Sequence, residues 1–346
     1  MTQTLIVTGA GGVGKTTLSA GLGVSLARSG SSTLVLTIDP AKRLADAFGV
    51  GALGDIPKQV SGEPNLYAAM LDVSASWEAI IHRYAEPAVA DRLLVNPYFR
   101  AMADRFPAAQ SYAAAERMAE YIESGHYDVL VVDTPPSEGG IDFFLAPAKT
   151  GDLMSGKLLR WLTGSSLPGR SILYRFTARP MLRLADTVLG GPMLSDVADF
   201  LLDLRTMYDR LTVRSKSIER HLREAETVIA TTAEPTPIHE TRRFFDELEG
   251  IKVAPTSILF NRMLPESWIN AALASDPPDT DDAALATRAV ANLDKWASEA
   301  RRQFEAAREL SARYGLPVYE LTWQVPPPTT LDELADLVQG VTVFDS

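Results

Sequence analysis

The sequence predicts an α/β fold: a parallel, doubly wound sheet flanked by helices and interrupted by a helical insertion. Three observations carry it. Short apolar runs of strand length recur along the chain, amphipathic helical stretches separate them, and residues 150–225 hold helical stretches with no strand-like run. Continuous apolar strands alternating with helices belong to sheets covered on both faces, because each crossover helix must bury one side.

Taken in order, the first run is TLIVT at 4–8, which leads into a glycine-rich turn and the helical stretch TTLSAGLGVSLARSG. Gly30 ends that helix, and STLVLTID at 32–39 is the second strand. NLYAAMLD (65–72) and YDVLVVD (127–133) follow, the latter behind the helical SYAAAERMAEYIESG. Three late strands are expected at TVIATT (227–232), TSILFN (256–261) and LPVYEL (316–321). Between the two groups, LLRWLTG, MLRLADTVLGG and the long stretch from Met193 read as helices broken by glycine and proline. The acidic, proline-rich SDPPDTDDAA (275–284) reads as a surface loop, and a solvated helix of mixed charge follows it. The expected organisation is one sheet domain from 1–149 and 226–346, with the helical 150–225 inserted.

Composition narrows the chemistry. The chain has 346 residues and a net charge of −11, which argues against broad nucleic-acid binding, since phosphate contacts need clustered Lys and Arg. Cysteine is absent, so disulfides, thiolate zinc sites and a cysteine nucleophile are excluded. The four histidines (His82, His126, His221, His239) lie nowhere at ligand spacing from one another. The apolar start is too short for a signal peptide and no run is long enough to span a membrane, so the cytoplasm is the expected location.

Gly9-Ala10-Gly11-Gly12-Val13-Gly14-Lys15-Thr16 fits the phosphate-loop pattern G-x-x-x-x-G-K-S/T, between a predicted strand and a predicted helix. Glycines let successive backbone N–H groups converge on phosphate oxygens, and the helix start adds its positive end. Lys15 suits the β- and γ-phosphates, and the Thr16 hydroxyl suits Mg²⁺. Asp133, closing the apolar strand VLVVD, stands where a carboxylate can hold a metal-bound water beside such a loop. The fold is therefore read as a P-loop NTPase that takes a nucleoside triphosphate and Mg²⁺. Asp39 has two readings: a cap for the helix after Pro40, or a carboxylate that orients the attacking water.

The set GGVGKTT, TIDPAKRLADAF, VVDTPPS and ILFNRML, in this order, resembles the arsenite-pump (ArsA-type) ATPases and their relatives that target tail-anchored membrane proteins. The pattern from Asp39 to Phe48 is distinctive for that family, and ETRRFF at 240–245 resembles the helix after its PE strand end, here Glu234-Pro235. The resemblance implies that Gly11, Gly12, Val13, Gly14, Lys15, Thr16 and Thr17 cradle the phosphates. It implies that Thr16 and Asp133 serve the metal and that Asp39 and Lys15 serve catalysis. Asn261 matches the residue that reads the adenine edge, and 323–330 matches the segment that closes over it. Family members are dimers that open and close with ATP and form an apolar groove from their helical insertions. A homodimer, or a heterodimer with a related ATPase, is thus expected, with a hydrophobic client or a membrane partner.

This sequence departs from that pattern. Ala10 replaces a signature lysine that reaches the neighbouring subunit's nucleotide, and Lys42 or Arg43 is left to supply a charge or to lie on a solvated helix face. DTPPSEGG puts Glu138 and Gly139 where the family has glycine and histidine. Without cysteine, arsenite is rejected as the client, because soft arsenic(III) wants thiolates, and a zinc-bridged dimer is rejected with it. The residues of 150–210, rich in Met and Leu, read either as packed core or as a client groove. The leading expectation is a Mg-dependent ATPase. The alternative is a nucleotide-binding regulatory subunit with little hydrolysis, paired with a lysine-containing relative. A metabolic kinase or ligase of the same class lacks an acceptor motif here.

Overall fold

In the computed structural model, residues 2–39, 41, 43–105, 107–135, 138–155, 193–274 and 283–344 are described. Their contacts divide the chain into two compact units. One comprises Met1–Met70, Tyr121–Ile141 and Glu224–Ser346, the other Leu71–Glu120 and Asp142–Arg223.

The first unit holds an eight-stranded sheet in the order β3-β4-β2-β5-β1-β6-β7-β8. Its strands are β1 (Gln3–Gly9), β2 (Thr33–Thr37), β3 (Lys58–Gln59), β4 (Leu66–Met70), β5 (Val129–Asp133), β6 (Glu226–Thr231), β7 (Pro255–Met263) and β8 (Val318–Thr322). Every pairing is parallel except β3 on β4. β1, β2 and β5 are buried almost throughout, as their unbroken apolar sequences require of strands covered on both faces. All seven expected strands form, with two differences. β2 stops at Thr37, so Asp39 lies beyond the strand rather than at its last position. β3 is an added two-residue antiparallel edge with both residues exposed, which leaves no apolar run to announce it.

The strand order changes direction at β1. β2 lies two places to one side, with β5 between, and β6, β7 and β8 follow on the other. In parallel sheets such a reversal opens a crevice at the carboxyl ends of the strands. The helix after β1, α1 (Lys15–Arg28), packs its apolar side into a cluster with Leu5, Val7, Val35 and Val131. Leu334, Leu337 and Val338, from and just after the short C-terminal helix (Leu331–Leu337), complete the same cluster. A capping box starts that helix: Thr330 accepts from the Glu333 N–H, and the Glu333 carboxylate reaches back to the Thr330 N–H.

The second unit is helical throughout its described residues, including Val73–Tyr84, Pro87–Val95, Pro97–Arg105, Met193–Thr206 and most of Tyr208–Glu224. Trp77 stacks on Tyr112 and meets Phe99 edge-on, and its indole N–H donates to the Ala109 carbonyl. Glu116 is buried at 2% exposure and fully engaged. Arg214 donates to Oε2 at 2.8 Å, while Arg83 and the Tyr84 hydroxyl donate to Oε1 at 3.2 and 3.0 Å. A buried carboxylate is tolerated only when paired in this way. Burial, with Glu116 next, pushes the Tyr84 phenol up to about 12. Residues 156–192, which carry most of the Met- and Leu-rich segment, lie outside the described residues.

Candidate functional site

The loop between β1 and α1 sits at the crevice. Gly9 ends β1 at φ 141°, and a Cβ there would lie 2.1 Å from the Ala230 carbonyl oxygen on β6. Gly14 caps α1 in the left-handed region at φ 96°, where a side chain would also strike the Asn261 amide. Only glycine meets both demands. Val13 is buried in the apolar cluster and anchors the loop, while Gly11 and Gly12 stay exposed. No side chain caps α1, and its first turn holds no acidic residue. The leading N–H groups of a helix have no intrahelical partner, so this end is ready for an anion.

Lys15 is nearly buried, and its ammonium donates to the Gly9 and Ala10 carbonyls at 2.9 and 2.8 Å. Burial pushes its pKa down to about 8, against the pull of Asp133 and Asp39. Glu240, on the helix Pro235–Gly250, and Arg43 also act on it through their charges.

Asp133 is fully buried at the end of β5. The register pairs it with Val7 on one side and Thr37 on the other, so Thr37 reaches it from β2. The Thr37 and Thr16 hydroxyls both donate to Oδ2, at 2.9 and 2.8 Å. Oδ1 is buried with no hydrogen-bond partner among the described residues. Burial pushes the carboxyl up to about 6, against the two hydroxyl bonds and the Lys15 charge. A buried carboxylate oxygen left without a donor costs free energy unless something supplies one. A metal-bound water, held beside the Thr16 hydroxyl, would be such a donor, so the residues present fit Mg²⁺. No cluster of three His, Asp or Glu that could hold a metal alone occurs among the described residues.

Asp39 lies two residues past β2. Its Oδ1 accepts from the Ala41 N–H at 3.0 Å, which closes a turn before the short helix α2 (Arg43–Ala47). Its Oδ2 stands 3.5 Å from the Arg43 guanidinium. Asn261, on β7, donates to the Val13 carbonyl at 2.8 Å and accepts from the Arg262 N–H, so its amide is tied to the loop itself. Ala10 is buried at 2% and its methyl belongs to the apolar cluster. Lys42, Pro136 and Ser137 lie outside the described residues, and Glu138 opens the helix Glu138–Ser155. Trp323 and Val325 in the 323–330 segment are exposed, and the Trp323 N–H donates to the Met263 carbonyl at the end of β7.

Thr37 is not singled out by sequence reasoning. A threonine closing a fully apolar strand is the available signal, but its partner depends on the register of β2 on β5. Glu240 enters only as the first residue of ETRRFF, with no role of its own, because its approach to Lys15 depends on tertiary packing.

The profile of the anion-transporting ATPase family matches residues 2–276, and the chain belongs to that family. It is also similar to the ATPase GET3 of Mycosarcoma maydis, 28% identical over 262 residues that cover 75% of this chain and 72% of the relative. The ATPase ASNA1 homolog of Cryptosporidium parvum is 26% identical over 265 residues, covering 75% of this chain and 65% of that protein. The uncharacterized protein SCO2128 of Streptomyces coelicolor is 28% identical over 371 residues, covering 97% and 86%. The protein is an ATPase of this nucleotide-binding family. No helix among the described residues is long and apolar enough to cross a membrane.

Proposed function

We propose that this ATPase requires Mg²⁺, works as a dimer that opens and closes with the nucleotide, and handles a hydrophobic or membrane-linked client. The observation that carries the metal-dependent reading is the half-satisfied carboxylate of Asp133, beside Thr16 and the uncapped start of α1.

In this reading the N–H groups from Gly11 to Thr17 bind the phosphates. Lys15 exchanges the Gly9 and Ala10 carbonyls for phosphate oxygens, which are stronger acceptors because they carry charge. Thr16 and Asp133 would hold Mg²⁺, the Thr16 hydroxyl as a neutral oxygen ligand and Asp133 as the carboxylate behind it. Mg²⁺, when bound, neutralises charge on the β- and γ-phosphate oxygens. Asp39 orients the attacking water and takes its proton. Asn261 releases Val13 and offers both faces of its amide to the adenine edge.

Family membership and the Met- and Leu-rich sequence of 150–210 support the dimer and the client. Residues 1–149 and 226–346 would form the ATPase domain and 150–225 the client subdomain. Arsenite is not the client, since the chain has no cysteine. The direct test is phosphate release from Mg·ATP by the purified chain. Lys15→Ala is expected to reduce it to background with the fold intact, and magnesium chelation is expected to do the same to the unaltered protein. Unchanged release in the variant removes this reading. ATP binding without release by the unaltered chain supports the regulatory alternative.

A further inference from the structure

The site has one deficit on its own terms. Beyond Lys15 and the proposed Mg²⁺, its developing charge gains nothing from position 10, where the Ala10 methyl is buried in the core at 2% exposure. Asp133, Asp39 and Glu240 act on Lys15 through their charges, and among the described residues Arg43 is the cation that does so. Arg43 opens α2, one turn on from Asp39, and its side chain is 69% exposed. Among the described residues its ion pair is a 3.5 Å approach to Asp39, at the long end of ion pairing. Such an exposed pair contributes little to stability, so the guanidinium is free to exchange one anionic partner for another.

We propose that Arg43 is a catalytic residue of this chain's own site, moving from Asp39 onto the γ-phosphate as hydrolysis proceeds and supplying the charge that Ala10 lacks. The inference rests on the ATPase reading of the Lys15–Asp133 site. In the step, the water oxygen bonds to the γ-phosphorus as the bond to the bridging oxygen breaks. ADP leaves with that oxygen's electron pair, and the water proton passes to Asp39. Negative charge spreads over the equatorial and bridging oxygens, where a planar guanidinium can bridge two of them. Its departure leaves the Asp39 carboxylate able to accept the proton. Movement of one side chain thus couples charge compensation to base release.

The test compares Arg43→Ala, Arg43→Lys, Lys42→Ala and Lys15→Ala in the full-length protein. It measures steady-state ATP turnover, binding of a non-hydrolysable ATP analogue, and trapping of ADP with aluminium fluoride. Arg43→Ala is expected to lower kcat by about 100-fold or more with little change in analogue binding. It is expected to lose the ADP–aluminium fluoride complex and to regain part of its turnover in millimolar guanidinium. Arg43→Lys should fall between, because an ammonium replaces the charge but not the fork. Turnover in Arg43→Ala within twofold of the unaltered chain, while Lys15→Ala is dead, overturns this inference and leaves the ATPase reading standing. The 100-fold loss appearing in Lys42→Ala instead overturns it as well. Absence of Lys15-dependent turnover in the unaltered chain overturns both.

Discussion

Two buried carboxylates divide the molecule's polar interior into two kinds. Glu116, in the helical unit, spends both oxygens on Arg214, Arg83 and Tyr84. Asp133, at the end of β5 in the sheet unit, spends one oxygen on two threonines, and its other finds no partner among the described residues. Both are almost fully withdrawn from water. A carboxylate whose partners are complete holds helices together. One whose partners are half complete is poised to take a further donor, and that difference separates a structural charge from a functional one.

Breaking each in turn should give opposite results. Arg214→Ala leaves Glu116 with a weaker set of partners and should cost on the order of 3 kcal/mol of stability, read as a lowered denaturation midpoint, with ATP turnover per folded molecule retained. Asp133→Asn should do the reverse. Turnover should fall by about 100-fold or more, while stability at pH 8 rises by about 1–3 kcal/mol. The sign follows from the raised carboxyl: folding disfavours its ionised form, so the cost is present above about pH 6 and disappears as pH falls below the unfolded value. The gain in Asp133→Asn should therefore vanish by about pH 4. A variant that loses stability at pH 8 makes Asp133 another Glu116 and ends the contrast.

The pH dependence sharpens the same comparison with a smaller effect. In the free enzyme, Asp133 takes up its proton near 6 and Lys15 loses its proton near 8. kcat/KM should fall about tenfold per pH unit below the first value and above the second. Asp39, Arg43 and Glu240 face the same loop and modulate these limbs through their charges. The Asp133→Asn variant should keep the alkaline limb and lose the acid one. A profile flat from pH 5 to 9 would place the titrating groups elsewhere.

Much of the fold was readable before any coordinates. Seven of the strands announce themselves as short runs rich in apolar residues, and the loop between β1 and α1 declares itself by glycine spacing. What escaped reading depends on pairing across sequence distance. β3 consists of two exposed residues and has no pattern of its own. Thr37 becomes part of the site because β2 registers on β5, not because of its neighbours in sequence. Asp39 looked like the end of a strand, yet β2 stops earlier and the carboxylate closes a turn instead.

The sequence by itself determined the sheet, the phosphate-type loop and the exclusion of thiolate chemistry, because these follow from residue type and short spacing. Only the tertiary structure decided how complete each buried charge is. That Oδ1 of Asp133 finds no donor among the described residues, that Ala10 faces the core, and that Arg43 pairs with Asp39 are all facts of packing. Burial and partnership are set by strands and helices meeting from distant parts of the chain, which local pattern does not encode.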